Sequence, residues 1–544
     1  MRTRWAVAAI WGCFLARLAF YSAMLPLWEG YDEWAHFSVI RIMAGGGGPL
    51  PARSASLPGD VAASLELAPV PYEMRDRPWP SVTQDAFWML PAEERARRES
   101  AFESMPEGWR HEESSGALTA YEGFQPPLYY WIMAPALQLV HGASLPAQVI
   151  FLRWLSSLIA SLAIPLAFLV GRLVFRDDRL ALGCAAVLAV MPEFAIDVAR
   201  VGNECLAAVL FTLLIWAALR LARDGLSYSS ALAAGMALGF GLLAKAYFLT
   251  AAPVVAVLYA FAWRRRKGGS GIGPALCGIA APVLVAGWWY VRNLIAFGTL
   301  SGLMEAVATR DAGLATVLAK AAHINWARVI DGILLSHLYF GGWSSLTARA
   351  WMYHVFYAAI AAAALGLLLR VRNPALGWAA AFYLLFWAGQ FYQAALLALS
   401  SGMAVSLGWY TYAVASAEIA MAIAGLRAIL PERFRAWVVP GGVTAFAALD
   451  LYSVHAIAIP YYTGIVAHKA NGGVAGLHWG SLPRFAGVFG RLAVFKGPIA
   501  GAPVIAGLWV AYVVATVWIV GFAFLRRREA TKNDGLSHKE TEAS

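Results

Sequence analysis

The stretch TRWAVAAIWGCFLARLAFYSAMLPLWEGYDEWAHFSVIRIM, residues 3–43, decides the fold class and points to the site. Its first part, Trp5 to Leu27, is mostly apolar and long enough to cross a bilayer as a helix, which takes about 20 residues. Arg2 and Arg4 precede it and it lacks a clear small-residue cleavage site, so it reads as an uncleaved signal anchor. In lipid every backbone N–H and C=O must be satisfied within the segment, so the run is helical. Arg17 lies in the middle of this span, where its expected partner is an acid on another span.

The rest of the chain repeats the pattern. Apolar runs near 149–174, 180–198, 204–223, 229–246, 247–263, 271–291, 351–370, 375–396, 404–426, 436–458 and 502–525 bring the expectation to about twelve spanning helices. The fold class is therefore an all-α polytopic membrane protein forming one membrane domain over 1–544. The composition agrees. The 544 residues are 60% hydrophobic and 14% charged, with a mean hydropathy of +0.61, whereas a soluble domain carries about 25% charged residues. The 23 Trp and 21 Tyr suit helix ends at a membrane interface. The net charge of +10 does not imply nucleic acid. Its basic residues sit in short clusters between apolar runs, as topology determinants do, rather than on one polar face. Cys13, Cys184, Cys205 and Cys277 fall in or beside apolar runs, with neither a disulfide framework nor metal-ligand spacing.

Charge parity orients the chain. Pro126 to His141 (PPLYYWIMAPALQLVH) is apolar but only about sixteen residues long. If it lies along the interface, all the basic clusters face one side: Arg2/Arg4, Arg172/Arg176/Arg179, Arg220/Arg223, Arg264–Lys267, Arg370/Arg372, Arg427/Arg433/Arg435 and Arg526–Arg528. The positive-inside rule prefers that arrangement and makes both termini cytoplasmic, with 526–544 a cytoplasmic tail. Residues 28–148 then form a long first extracytoplasmic loop with juxtamembrane helices, polar and proline-broken over about 52–120. The loop holds about half of the chain's acidic residues. Residues 294–350 and 459–501 are further extracytoplasmic segments.

Three motifs can carry chemistry. Read as a helix, EGYDEWAHFSVIRIM (29–43) places Glu29, Asp32, Glu33 and His36 on one stripe, with Trp34, Phe37, Ile40 and Met43 elsewhere so that the helix can rest on the membrane. Two adjacent carboxylates and a histidine suit general-base work or metal binding, so a divalent metal is possible; a solvated polar face is the plain alternative. YEGFQPPLYYW (121–131) uses a double proline to set the start of a helix and holds Gln125 beside that turn; as a bland reading it is an interfacial anchor. The third set lies at outer span ends: Arg153, then Glu193, Asp197, Arg200, Asn203 and Glu204, then Lys245 in LLAKAYFL, then Arg292 and Asn293 in GWWYVRN. Charges at membrane depth are expensive and usually face a cavity or a partner, and Arg and Lys facing one cavity suit a phosphate; the alternative is snorkelling to the interface.

The order of these motifs carries a resemblance. One span, a DE…HF loop, QPPLYY, a polar hairpin, LLAKA and WWYVRN together resemble the GT-C superfamily of membrane glycosyltransferases, in the branch of the protein O-mannosyltransferases and the lipid A aminoarabinose transferases. The resemblance covers about residues 1–300 well. It implies a sugar transferred from a polyprenyl-phosphate donor to an extracytoplasmic glycan, lipid or protein acceptor. Asp32 is then the catalytic base with Glu33 beside it, and Lys245 and Arg292 are candidates for the donor's phosphate. His36, Gln125, Arg153, Asn203, Glu204 and Asn293 are the remaining substrate-binding candidates. Two departures stand out. Gln125 replaces a basic residue of some relatives, and Gly408-Trp409-Tyr410 occupies the place of an Arg-Tyr pair. The Ala- and Arg-rich composition points to a bacterium, which places the protein in the inner membrane with its site on the periplasmic side.

The main rival is a secondary transporter or flippase, which needs acids near mid-membrane; the acids read here lie in outer loops, and no inverted repeat is seen. A ligase or polymerase of surface polysaccharide places its large loop late in the chain, whereas here it comes first. A scaffold of an envelope complex is the non-enzymatic alternative. There is no P-loop, which disfavours a nucleotide-sugar donor or an ATP-driven pump.

Overall fold

The computed structural model describes residues 3–53, 55–76, 81–106, 119–265 and 272–542. Arg2, Arg266 and Lys267 of the basic clusters, and part of the proline-broken stretch of the first loop, lie outside them. Among the described residues the chain is helical, with three isolated β-bridges and no strand. It is a polytopic membrane protein. Ten helices are long and apolar enough to cross a bilayer, from Thr3–Met24 to Pro498–Arg527. An eleventh span follows if the pair Asp178–Val190 and Pro192–Val198, bent by 65°, crosses as one. The twelve expected are not reached on this criterion because the run at 229–246 is a 17-residue helix, Tyr228–Ala244. At 1.5 Å per residue it falls short of the ~30 Å hydrocarbon core. It stops where Lys245 takes an extended conformation (φ −158°, ψ 140°), and the chain resumes as the separate span Ala246–Arg264.

Local chemistry sets these boundaries. Asp177 accepts hydrogen bonds from the backbone of Arg179 (2.6 Å) and Leu180 (3.2 Å), capping the bent pair at its start. Asn373 caps Pro374–Ser400, whose first residue is the proline suited to an N1 position. The bend at Met191–Pro192 falls where proline lacks the N–H that would continue the ladder. The spans Ala350–Arg370 and Gly408–Ile429 cross so closely that a Cβ on Gly425 would lie 2.0 Å from the carbonyl oxygen of Ala363. Such small-residue crossings let membrane helices pack without a hydrophobic drive between them.

Arg17 has the acidic partner expected of it. Its Nη1 donates to Asp450 (2.8 Å) and to Thr516 (2.5 Å), while Tyr21 and Tyr512 donate to the same carboxylate at 2.5 and 2.6 Å. This network ties the first span to Val438–Tyr462 and to Pro498–Arg527. It also corrects the sequence reading, because Asp450 is an acid midway along a span. Its oxygens are taken up by a cation and two phenols, which makes it a structural tie.

The short helices Glu33–Ala44 and Leu128–Gln138 pack together, with Gln138 donating to the carbonyl of Ala44 at 2.9 Å. Leu128–Gln138 has 11 residues, too few to span, as expected of an interfacial segment. The apolar residues of Glu33–Ala44 do not rest on lipid as expected. Trp34, Phe37 and Ile40 are buried inside the protein, because the following chain folds back over this helix. Trp28 donates to Ser64 (3.0 Å) and Arg41 pairs with Asp60 (3.0 Å). Glu29 accepts from Ser344, Trp88 donates to the carbonyl of Tyr462, and Asp85 accepts from the backbone of His468. The first loop and the segments 294–350 and 459–501 therefore meet at one end of the bundle.

Candidate active site

At that end the chain leaves the first span, turns, and starts a new helix at Glu33. The turn brings Gly30 against Arg200, so closely that a Cβ there would lie 2.6 Å from the arginine's own Cβ. Asp32 follows in the left-handed region (φ 55°, ψ 19°) and its side chain makes no cap to the helix it precedes. An L-residue rarely adopts this conformation, and such strain concentrates where a side chain must be aimed. The helix thus begins only at Glu33, which leaves Glu29 and Asp32 outside it, and the expected stripe of Glu29, Asp32, Glu33 and His36 does not form. Glu29 lies before the turn and accepts from the backbone and hydroxyl of Ser344 at 2.8 and 2.9 Å.

The two adjacent acids have different surroundings. Glu33 is fully buried and bound two-pronged by Arg153, at 2.7 Å from Nε and 2.6 Å from Nη2, and it also accepts from the backbone of Val201 at 3.0 Å. Arg153 spends its other donors on the carbonyls of Ser22, Leu25 and Pro26. Each expected site residue has found the other, and together they lock the end of the first span. Asp32 is half-buried and accepts from the phenol of Tyr121. Burial pushes its carboxyl above the usual aspartate range, while the Tyr121 hydrogen bond and the charges of Arg200 and Lys245 pull the other way.

His36 turns from Asp32 toward the motif that closes the loop. Its Nδ1 lies 2.9 Å from the Tyr130 hydroxyl and its Nε2 3.6 Å from Glu122. Burial lowers the imidazole to about 3, so the ring is neutral. Glu122 is raised to about 8, by burial first and then by the negative charge of Asp32. Two carboxyls in mutual repulsion, with a neutral histidine between one of them and a phenol, tend to hold one proton between them.

The polar hairpin supplies the cations. Arg200 pairs with Asp197 (2.9 Å) and Glu204 (2.8 Å) and donates to the carbonyl of Tyr31. Lys245, placed by the helix break, pairs with Glu204 and donates to Asn203 at 2.9 Å. Asn203 in turn donates to Gln125 at 3.3 Å, joining the hairpin to the loop-closing motif. Trp409 stacks on Tyr31 with ring centroids 3.6 Å apart, and Lys245 lies 5.2 Å from the ring of Tyr410. The Gly408-Trp409-Tyr410 segment thus joins the site through aromatic faces. Of Asp32, Glu33, Glu122, Asp197 and Glu204, only Asp32 and Glu122 lack a lysine or arginine partner among the described residues.

Arg292 stands in a second cluster. It donates to Asn293 (3.2 Å) and lies over the rings of Trp289 and Phe297. Arg53, from the first loop, lies 3.4 Å from the centroid of the same Phe297 and donates to the carbonyl of Gly302. Burial, and then the positive charge of Arg292, lower the Arg53 guanidinium to about 10. Asn293 is buried and donates to the carbonyl of Ser301. Lys245 and Arg292, read from the sequence as facing one cavity, are thus held by different partners: Glu204 for the lysine, Asn293 and the rings of Trp289 and Phe297 for Arg292.

Sequence reading singled out neither Tyr121, Glu122 nor Arg53. The first two lie in the quoted YEGFQPP motif, and an acid four residues before a double proline was the available signal. Arg53 carried none. Among the described residues no group of three or more His, Cys, Asp or Glu side chains is arranged to hold a metal ion.

Fold and site together define a polytopic α-helical membrane protein whose bundle carries, at one end, two carboxyls without a lysine or arginine partner among the described residues, Asp32 and Glu122, beside two cationic clusters. No family model matches the chain. It is similar to the lipopolysaccharide core galacturonosyltransferase RgtB of Rhizobium johnstonii, 28% identical over 204 residues, which is 37% of this chain and 40% of that protein. The alignment thus spans less than half of the relative's length. Two solved structures also resemble it. ArnT from Cupriavidus metallidurans bound to undecaprenyl phosphate has a TM-score of 0.46 at 15% identity, covering 97% of this chain and 79% of that one. The Archaeoglobus fulgidus oligosaccharyltransferase has a TM-score of 0.37 at 14% identity, covering 86% and 54%.

Proposed function

We propose that this chain is a GT-C type membrane glycosyltransferase of a bacterial inner membrane. It transfers a sugar from a polyprenyl-phosphate donor to a glycan, lipid or protein acceptor on the periplasmic side. The observation that carries the proposal is the division of labour between the adjacent acids: Glu33 is consumed by Arg153, while Asp32 is strained, half-buried and held by a phenol. A carboxylate so placed is available to take a proton. The likeness over 204 residues to a galacturonosyltransferase supports the reaction class.

In this reading the acceptor's hydroxyl oxygen attacks the anomeric carbon and gives its proton to Asp32. The bond from that carbon to the phosphate oxygen breaks, and the polyprenyl phosphate departs as an anion. Single displacement inverts the anomeric configuration. Glu122, with its high proton affinity, keeps the pair's one proton, which leaves Asp32 ionised and basic. The departing phosphate needs positive charge that is not already neutralised. Arg53 and Arg292 supply it, since Lys245 is engaged by Glu204. Lys245, Asn203 and Gln125 position the loop-closing motif against the hairpin.

The test is deletion of the gene in its host. Lipid extracts should accumulate one sugar linked to polyprenyl phosphate. An unchanged pool of every such lipid contradicts the proposal.

A further inference from the structure

On the far side of the hairpin, a cavity of 470 Å³ opens among the spans Ala350–Arg370, Gly408–Ile429 and Val438–Tyr462. Its wall is almost wholly aliphatic and aromatic, with Val355, Ile360, Ile423 and Phe446 among its residues. At one end lie His337 and Glu418, paired with each other at 3.0 Å, so that end presents a neutralised pair. At the other end two large rings line the mouth and are open to the surroundings: Phe434, 44% exposed, and Trp437, 40% exposed. Each ring carries an arginine. The Arg433 guanidinium lies 4.8 Å from the centroid of Phe434, and that of Arg527 lies 3.3 Å from the centroid of Trp437. Among the described residues neither arginine is paired with a carboxylate, and the buried Nε of Arg527 donates to nothing in the protein.

An apolar slot with two unneutralised guanidiniums at its mouth matches one kind of molecule in a membrane. Its apolar interior accepts a hydrocarbon chain, and the fixed fork of arginine matches the oxygens of a phosphate, the anionic group that membrane lipids carry next to their chains. The aromatic rings sit where interfacial rings belong, between tail and headgroup. Arg433 and Arg527 thus stand beside the mouth residues Phe434 and Trp437, and such basic groups at a membrane surface attract anionic lipids. We infer that this cavity is a binding site for one acyl chain of an anionic glycerophospholipid, with the lipid phosphate held between Arg433 and Arg527. The site is separate from the Asp32 centre and does not depend on the reaction proposed there. Its occupant braces three spans, of which Gly408–Ile429 begins with the Trp409 and Tyr410 turn.

Native mass spectrometry of the full chain, released from detergent with equal amounts of dioleoyl phosphatidylglycerol and dioleoyl phosphatidylcholine, tests this. The wild-type protein should retain phosphatidylglycerol preferentially, and Arg433→Gln with Arg527→Gln should remove the preference, each arginine accounting for about a five-fold change. Ala445→Phe, which fills the slot, should reduce retention of both lipids. Arg433 is exposed, so Arg433→Gln alone decides the matter if the double variant fails to fold. Equal retention of the two lipids by the wild type, or a preference that survives loss of the arginines, overturns the inference. So does displacement of phosphatidylglycerol by an equal amount of polyprenyl phosphate, which would make the slot a donor groove.

Discussion

Glu33 and Arg153 are 120 residues apart in sequence and meet in two parallel hydrogen bonds of 2.7 and 2.6 Å, with no exposure of either side chain. This pair fixes how the first span, the helix Glu33–Ala44 and the span Leu145–Phe175 sit together. It also leaves Asp32, of the two adjacent acids, without a lysine or arginine partner among the described residues.

Removing one partner of that pair leaves a buried charge uncompensated. Arg153→Leu should therefore destabilise the protein by about 3–5 kcal/mol. The loss should appear as a lower unfolding temperature in detergent, with reduced yield. Glu33→Leu combined with Arg153→Leu should be more stable than Arg153→Leu alone. Equal stability of the single variant and the wild type would mean that the pair is not formed.

The raised carboxyl of Glu122 predicts a pH dependence of stability. Unfolded, the group ionises in the ordinary glutamate range; folded, it keeps its proton to about 8. The stability tied to the neutral form is fully present below the ordinary range and is lost as pH rises toward 8. Glu122→Gln mimics the neutral form at every pH. Its unfolding temperature should fall less between about pH 5 and 8 than that of the wild type. Parallel curves would show that Glu122 ionises normally.

The paired arginines predict a defect in donor binding. Arg53→Gln and Arg292→Gln should each raise the KM for a polyprenyl-phosphate sugar, because a charge-assisted contact contributes about 1.5–3 kcal/mol. Lys245→Gln should act mainly through stability, since its ammonium is engaged by Glu204. If Lys245→Gln changes KM while both arginine variants leave it untouched, the phosphate belongs with the lysine.

Topology is checked by reporters. Alkaline phosphatase fused after His141 should be active if residues 28–148 lie wholly outside, and a fusion after Arg372 should be inactive. A cytoplasmic signal after His141 would invert the arrangement and move the site to the other face.

Much of this was legible in the sequence, and what was not has a physical reason. Span positions follow from runs of apolar residues, a local property, so each of the twelve runs has a helical counterpart; the break at Lys245 shortens one below spanning length and the bend at Met191–Pro192 divides another. Arg17 announced that it needed an acid, but naming Asp450 requires knowing which of several spans lies beside it. The stripe at 29–43 failed because helical periodicity was assumed through a turn that Gly30 and a left-handed Asp32 create. Spacing cannot distinguish a free acid from a paired one, so Asp32 and Glu33 looked alike until Arg153 was in place. Glu122 and Arg53 gain meaning only from neighbours distant in sequence.

The central claim is that Asp32 takes the acceptor's proton. Asp32→Asn preserves size, leaves an acceptor for Tyr121 and removes the base, so the protein should fold and bind donor as before. General-base catalysis contributes about 10²–10⁴-fold, and turnover should fall by at least that order. The direct measurement is the single-turnover rate of sugar transfer by purified Asp32→Asn protein saturated with lipid-linked donor, beside donor binding by the same sample. The account predicts unchanged binding with a rate at least about a hundredfold lower; a near-normal rate with intact binding would contradict it.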